Sequence, residues 1–316
     1  MNLRRAALLG AVAAGGAGLA YLLERTVAAR WRVGAEELAA AGLSLPPDLR
    51  HHFVTTSDGG RVHVVERGEG PTSVLVHGIT LSAATWAPQL RVLPGRVLAV
   101  SQRGHGQSRA GREGYTFERL AADLAEVLGA LDVRDAVLVG HSMGGMVAQL
   151  LALDRPEDLS RHVRRLLLVA STPGPIAAPP FAGLVTAASA RALARAERRG
   201  RGPFPKSATP WASRVAFGAA PSPAAVELLC GMLDSMSPGA LAELLPHLLA
   251  FDVRDRLAGM SLPVHVVVGT RDVLTPPRTA RGIADRVPGA RLTLLPGCGH
   301  MVMLERGDTL CELVTE

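Results

Sequence analysis

Ala136-Val137-Leu138-Val139-Gly140-His141-Ser142-Met143-Gly144-Gly145 is the stretch on which the reading of this chain turns. Four apolar residues run straight into Gly-x-Ser-x-Gly, and a helical pattern extends from Met143 to Leu153. A serine at such a junction needs a sharp, strained turn to hold its hydroxyl above a sheet, and side chains at Gly140 and Gly144 would collide there. The helix that follows points its N-terminus at the site and favours developing negative charge. In a Gly-rich chain the bare pattern is weak; set between a strand and a helix, it marks Ser142 as a candidate nucleophile.

Outward from this junction the chain alternates between strand and helix. His52–Thr56 and Arg61–Glu66 flank the turn Asp58-Gly59-Gly60 and predict a β-hairpin. Ser73–Val76, Arg96–Val100, Arg165–Ala170, Val264–Val268 and Arg291–Leu295 are short runs rich in Val and Leu. Apolar on both faces, they suit a parallel sheet buried between helices. Helical patterns lie at Phe117–Leu131, Pro277–Arg286 and from Leu304 onward. The fold class expected is α/β: a doubly wound, mostly parallel, eight-stranded sheet. The alternation pauses between Ser171 and Leu262. There Pro and Gly cluster at Pro173–Pro180 and Gly200–Pro210, and helical patterns lie at Phe181–Arg199, Ala224–Asp234 and Gly239–Leu249. Residues 173–261 therefore read as a helical cap inserted into a core of residues 50–172 and 262–316.

A serine hydroxyl needs a base, and the base needs an orienting carboxylate. In this architecture the chain order is Ser, acid, His. The run Val264–Val268 leads into Gly269-Thr270-Arg271-Asp272, and Arg291–Leu295 into Pro296-Gly297-Cys298-Gly299-His300. Asp272 and His300 thus project from the same C-terminal sheet edge as Ser142, where open α/β sheets carry their sites. Asp252, Asp255, His247 and His265 are less well placed. An oxyanion needs two backbone donors. Met143 N–H is one, and Ile79 N–H, in the loop His77-Gly78-Ile79-Thr80 after Ser73–Val76, is the other. Gly78 permits a tight backbone there, and His77 is read as holding the loop by hydrogen bonds. His141, Gly140 and Gly144 support the turn.

With these pieces in order, the sequence resembles the α/β-hydrolase family, in its single-domain group with a helical cap. The resemblance rests on HGIT at 77–80, SQRGHGQS at 101–108, GHSMGG at 140–145, GTRDVLTP at 269–276 and GCGHMVMLE at 297–305, and it covers about residues 50–316. It implies Ser142 as nucleophile, Asp272 as acid, His300 as base, and Ile79 and Met143 as oxyanion donors. Ser101 departs from the pattern, since many relatives carry Asp there, and this alters loop support rather than chemistry. Serine at 142 speaks against the dehalogenase and epoxide hydrolase branches, whose nucleophile is Asp. The activity expected is hydrolysis of a carboxylic-ester-like or lipid-like small molecule through an acyl-enzyme. The rivals are a cofactor-free perhydrolase or haloperoxidase, a serine aminopeptidase, and a non-catalytic membrane-tethered binding protein.

The 316 residues, 48% hydrophobic and 20% charged, exclude wholesale disorder. Cys230, Cys298 and Cys311 have no metal-ligand spacing and are odd in number, so neither a zinc module nor a disulfide framework is expected. No metal or organic cofactor is implied. The net charge is +6, but residues 1–34 hold five Arg against Glu24, which is +4, and leave +2 for the remaining 282 residues. Nucleic-acid binding requires clustered charge on the folded body and is not expected. Residues 1–34 form an N-terminal segment in which Arg4 and Arg5 precede an apolar run, Ala6–Leu23. Eighteen helical residues reach about 27 Å, close to a hydrocarbon core of about 30 Å. The run is read as a membrane anchor, with a signal peptide cut after Ala20 or a buried soluble helix as alternatives. Arg on both sides leaves its orientation open. Residues 35–48 read as a linker. Arg191, Arg195, Arg198, Arg199 and Arg201 form a basic run within the cap, read as a solvated face that could also meet an anionic substrate or lipid headgroups.

Overall fold

The structure, a computed structural model, describes residues 32–175, 189, 191–203 and 209–316. The apolar run 6–23 and parts of the 173–261 segment lie outside the described residues. Eight strands form one sheet: β1 (Arg50–Thr55), β2 (Arg61–Arg67), β3 (Thr72–Val76), β4 (Arg96–Ser101), β5 (Ala136–His141), β6 (Val163–Val169), β7 (Val264–Gly269) and β8 (Arg291–Leu295). Their order is β1-β2-β4-β3-β5-β6-β7-β8; β2 runs antiparallel to both its neighbours and β3 to β8 are mutually parallel. From β3 the chain moves one way to β4 and then returns to lay β5 on β3's other side. The crevice beyond the carboxyl ends of β3 and β5 is therefore the switch point where open α/β sheets bind ligands.

Alternation along the strands splits the interior into two cores. Val74, Val76, Leu138, Leu166, Leu168, Val266 and Val268 face one side, where the helices Phe117–Ala130, Met143–Asp154 and Pro277–Ala284 pack. Leu75, Val137, Val139, Leu167, Val169 and Val267 face the other, against the helices Ala87–Val92 and Gly307–Thr315. Strands covered on both faces have no solvated side, which is why they read as continuous apolar runs.

Three expectations change. The 35–48 stretch is not simply a linker: Ala35–Ala40 is helical and packs against the helix Pro223–Ser235, and Leu43 is buried. The Pro- and Gly-rich break at 200–210 ends in a helix, Thr209–Val215, with Pro210 in its first turn where a missing N–H costs nothing. The final helix is two, Val302–Glu305 and Gly307–Thr315, parted at Arg306. Between β6 and β7 the other described helices are Pro223–Ser235, Pro238–Ala250 and residues 191–198, together with a short 3-10 turn at Arg254–Gly259. Among the described residues no single helix is long and apolar enough to cross a membrane.

Candidate active site

Ser142 has φ 52° and ψ −117°, a left-handed backbone that a residue with a Cβ adopts only at a cost of about 1–3 kcal/mol. Close packing around the turn imposes it. A Cβ at Gly144 would stand 2.4 Å from Val76 O, and one at Gly140 would stand 2.7 Å from Gly144 O. Ser142 N–H donates to Val169 O (2.9 Å), and Ser171 Oγ donates to Ser142 O (2.9 Å), so the turn is fastened to β6 and its exit. Thr80 (φ 64°) and Ala170 (φ 47°), just beyond β3 and β6, share the left-handed conformation. Three of the five such non-glycine residues among those described thus stand along one rim of the sheet.

The loop after β3 presses directly on the serine. A Cβ at Gly78 would lie 2.9 Å from Ser142 Cβ and 3.0 Å from His141 Nδ1, so the close approach needs glycine. His77 is fully buried. Its Nδ1–H donates to Gly78 O (2.7 Å) and its Nε2 accepts from Gln102 N–H (3.0 Å), a pairing that sets the tautomer and ties the loop to the end of β4. Burial, with His105 nearby, holds His77 well below its ordinary value, so the ring stays neutral. Among the described residues, neither Ile79 N–H nor Met143 N–H has an acceptor.

On the far side of Ser142, Asp272 and His300 meet. His300 Nδ1–H donates to Asp272 Oδ2 at 2.8 Å. Asp272 Oδ1 accepts from Leu274 N–H (2.9 Å) and Thr275 N–H (2.8 Å). Burial alone would raise this carboxyl, but His300 and these bonds reverse the direction and hold it below its ordinary value, so it is ionised at neutral pH. Thr275 Oγ1 lies 2.8 Å from both Asp272 Oδ2 and Ala170 O, and its single proton serves one of them at a time. The His300 loop is held from behind. Ala216 O accepts from His300 N–H (2.7 Å), and Glu305 accepts from Gly218 N–H (2.8 Å) and Gly299 N–H (2.9 Å). His141 Nε2–H donates to His300 O (3.0 Å), with the two rings 4.7 Å apart. Burial, with His300 beside it, pushes His141 down to about 3.

Ser142 and His300 line one cavity of about 520 Å³, together with Gly78, Ile79 and His141. Among the described residues no hydrogen bond joins Ser142 Oγ to His300, and His300 Nε2 has no partner. The alignment of hydroxyl and imidazole is thus left to the bound state, as is common in unliganded sites. The remaining wall is mostly apolar, with Leu193, Leu229, Leu233, Leu241, Leu245 and Leu248 contributed by the β6–β7 segment. Such a space suits a small molecule with an apolar moiety. Cys298 is buried and its thiol is pushed up to about 12 by burial, so it is no thiolate nucleophile. No group of three or more His, Cys, Asp or Glu among the described residues is arranged to hold a metal ion.

Sequence reasoning missed Thr275. Its signal was available: a hydroxyl three residues after Asp272 is the spacing at which a side chain and its own loop exchange hydrogen bonds.

The profile of the alpha/beta hydrolase family matches residues 74–313. A putative carbamate hydrolase, RutD, from Stutzerimonas stutzeri is 31% identical over 236 residues, which is 73% of this chain and 85% of that protein. A thermophilic esterase from Thermogutta terrifontis superposes with a TM-score of 0.71 at 26% identity, covering 84% of this chain and 97% of its own. An esterase from Exiguobacterium antarcticum superposes at 0.75 with 21% identity, over 84% and 98% of the two chains. The last is a likeness of fold.

Proposed function

Because this chain belongs to the alpha/beta hydrolase family, we propose that it is a serine hydrolase of carboxylic-ester-like substrates working through a Ser142–His300–Asp272 triad. The observation that carries this reading is the Asp272–His300 hydrogen bond beside a strained Ser142 in one apolar cavity. Ser142 Oγ attacks the carbonyl carbon while His300 Nε2 takes its proton, and Asp272 holds the Nδ1–H tautomer and stabilises the imidazolium. The tetrahedral oxyanion rests on the N–H groups of Ile79 and Met143. Its collapse expels the alcohol, which takes the proton back from His300. Water, deprotonated by His300, then attacks the acyl-serine, and the acid leaves as Ser142 regains its proton.

Residues 173–261 act as a cap over a core of residues 50–172 and 262–316, and their leucines receive an acyl or alcohol chain. Residues 6–23 anchor the protein in a membrane; alkaline carbonate should leave it in the membrane fraction, and release would refute the anchor. For the chemistry, a fluorophosphonate should label wild type and not Ser142→Ala. That variant should lose p-nitrophenyl ester turnover while keeping its melting temperature. Undiminished turnover refutes the triad. The similarity to a putative carbamate hydrolase favours a second substrate, the carbamate, which presents the same carbonyl to the same serine. A matched pair of ester and carbamate of one alcohol ranks the two.

A further inference from the structure

Six large apolar side chains are exposed among the described residues: Phe53, Val92, Trp211, Val215, Val273 and Leu274. Phe53 is accounted for, since it stacks on His63 and under the Arg61 guanidinium. Four of the others gather on two segments that frame the cavity. Leu274 lines it directly, and Val273, 65% exposed, is its neighbour in the loop after β7. On the helix Thr209–Val215, Ala212 and Ser213 face the cavity, as does Ala216 just beyond its end. Trp211 (42% exposed) and Val215 (52%) are four residues apart, so they form a stripe one residue's rotation, about 100°, from Ala212 and Ala216. The apolar lining therefore continues over the edge of the cavity onto the surface. A patch of this kind beside a binding cavity marks an interaction site more often than chance exposure does.

The charge around the rim is mostly positive, although Glu243 is exposed on the cavity-lining helix Pro238–Ala250. Residues 191–201 carry five Arg against Glu197, net +4, and all five Arg are exposed. Glu197 is engaged, accepting from Gly239 N–H at 2.9 Å. Ala192 and Leu193 of the same helix line the cavity, so these arginines belong to its surroundings. On the other side Arg271 and Arg278 are exposed, and the only acid between Val264 and Ala284 is the buried Asp272. From Arg198 to Val226 the sequence contains no acidic residue.

We propose that the cavity mouth is a docking surface for an anionic phospholipid bilayer, with Trp211, Val215 and Val273 entering the interface and the flanking arginines meeting the headgroups. An indole amphipathic at the headgroup level, aliphatic neighbours and surrounding guanidinium groups are the chemistry such a surface recognises. The orientation sets the cavity opening against the membrane, so a substrate carrying a hydrocarbon chain passes from lipid to Ser142 without crossing water. Docking itself does not depend on the proposed triad; only the delivery of an ester substrate does.

The test uses the full-length chain carrying Trp31→Phe, so that Trp211 is the only surface tryptophan beside the buried Trp86. Vesicles of phosphatidylglycerol and brominated phosphatidylcholine should quench its emission and shift it to the blue. Vesicles of brominated phosphatidylcholine alone should do so weakly, and raising the salt to about 0.5 M should reverse much of the effect through screening. Quenching absent from anionic vesicles, or equal in both kinds, overturns the proposal. In the triple variant Trp211→Gln, Val215→Gln, Val273→Gln, hydrolysis of a long-chain ester held in anionic vesicles should fall about tenfold or more as its apolar contacts are lost. Turnover of dissolved p-nitrophenyl acetate should be unchanged. An equal fall in both, or a triple variant that changes only the oligomeric state, also overturns the docking surface. Wild type inactive on either ester defeats the proposed function, while the quenching still decides the docking.

Discussion

Arg103 and His300 sit in two buried charged clusters built from the same materials and finished in opposite ways. The Arg103 guanidinium has five N–H groups and all five are used. Nε and Nη2 reach the two oxygens of Asp123, Nη1 and Nη2 reach the two oxygens of Asp58, and Nη1 also donates to Gly114 O. Asp58 in turn accepts from Thr56 Oγ1 and from the N–H groups of Gly60 and Glu113. No polar valence is left over, and the arginine side chain is wholly shielded from water. Around Asp272 the carboxylate is equally well supplied, but the chain of bonds stops at His300 Nε2, which faces the same cavity as Ser142. A saturated cluster has nothing to offer a substrate and serves the fold; an unfinished one beside a cavity is where chemistry has room.

Mutation should separate the two clusters cleanly. His300→Ala takes away the proposed base and should cost about 10⁴-fold or more in kcat for a p-nitrophenyl ester. Its melting temperature should stay within a few degrees of wild type. Steady-state kinetics and calorimetry on one preparation test this, and a large loss of stability with retained turnover would reverse the two roles. Arg103→Met should do the opposite. It takes from two buried carboxylates the cation they share, leaving Asp123 with Arg119 alone, which costs about 3–5 kcal/mol in urea unfolding. The molecules that remain folded should turn over ester at nearly the wild-type rate. If kcat falls while stability holds, the Arg103 cluster is part of the active site and the contrast fails.

Acid should weaken the saturated cluster through Asp58. Hydrogen bonds from Arg103 hold the Asp58 carboxyl well below the usual range, whereas burial raises Asp123 despite its bonds to Arg103 and Arg119. For Asp58 the folded value lies under the unfolded one. Its contribution to stability is therefore complete above the ordinary carboxylate value of about 3.9 and drains away as pH falls below it. Urea midpoints should drop as pH falls from about 4 to about 3, and Asp58→Asn, less stable at neutral pH, should show a flatter profile over the same window. An unchanged slope in that variant removes Asp58 as the cause.

The unfinished site was the more legible of the two in sequence. Ser142, Asp272 and His300 each follow an apolar run by a few residues, and glycines at 140 and 144 mark a turn that steric packing alone explains. Every such signal is local. The Arg103 cluster offers less: Arg103 lies in the motif at 101–108, but nothing there names its partners. Asp58 lies in a hairpin turn, Asp123 inside a helix, and Gly114 in a loop, and a charged residue in any of these places reads as solvated surface until the fold brings the three together. The helix Ala35–Ala40 escaped for a different reason. Six residues make a marginal helix alone, and it owes its existence to packing on Pro223–Ser235, a contact nearly two hundred residues away.

Thr275 tests how far the finished side of the site can be loosened without breaking it. Its hydroxyl stands 2.8 Å from Asp272 Oδ2 and from Ala170 O, and 3.2 Å from His300 Nδ1, so it braces the acid and the strained end of β6 together. Thr275→Val keeps the shape and removes one hydrogen bond of about 1 kcal/mol. Asp272 retains its two backbone donors and His300, so the carboxylate stays in place but less firmly aimed. We expect kcat to fall by roughly fivefold, the rate equivalent of that energy, with KM unchanged. Thr275→Ser, which restores the hydroxyl, should recover most of the loss. If the serine variant recovers nothing while the valine variant melts early, Thr275 supports only the fold. The hydrogen-bond supply around Asp272 would then exceed what orienting His300 requires.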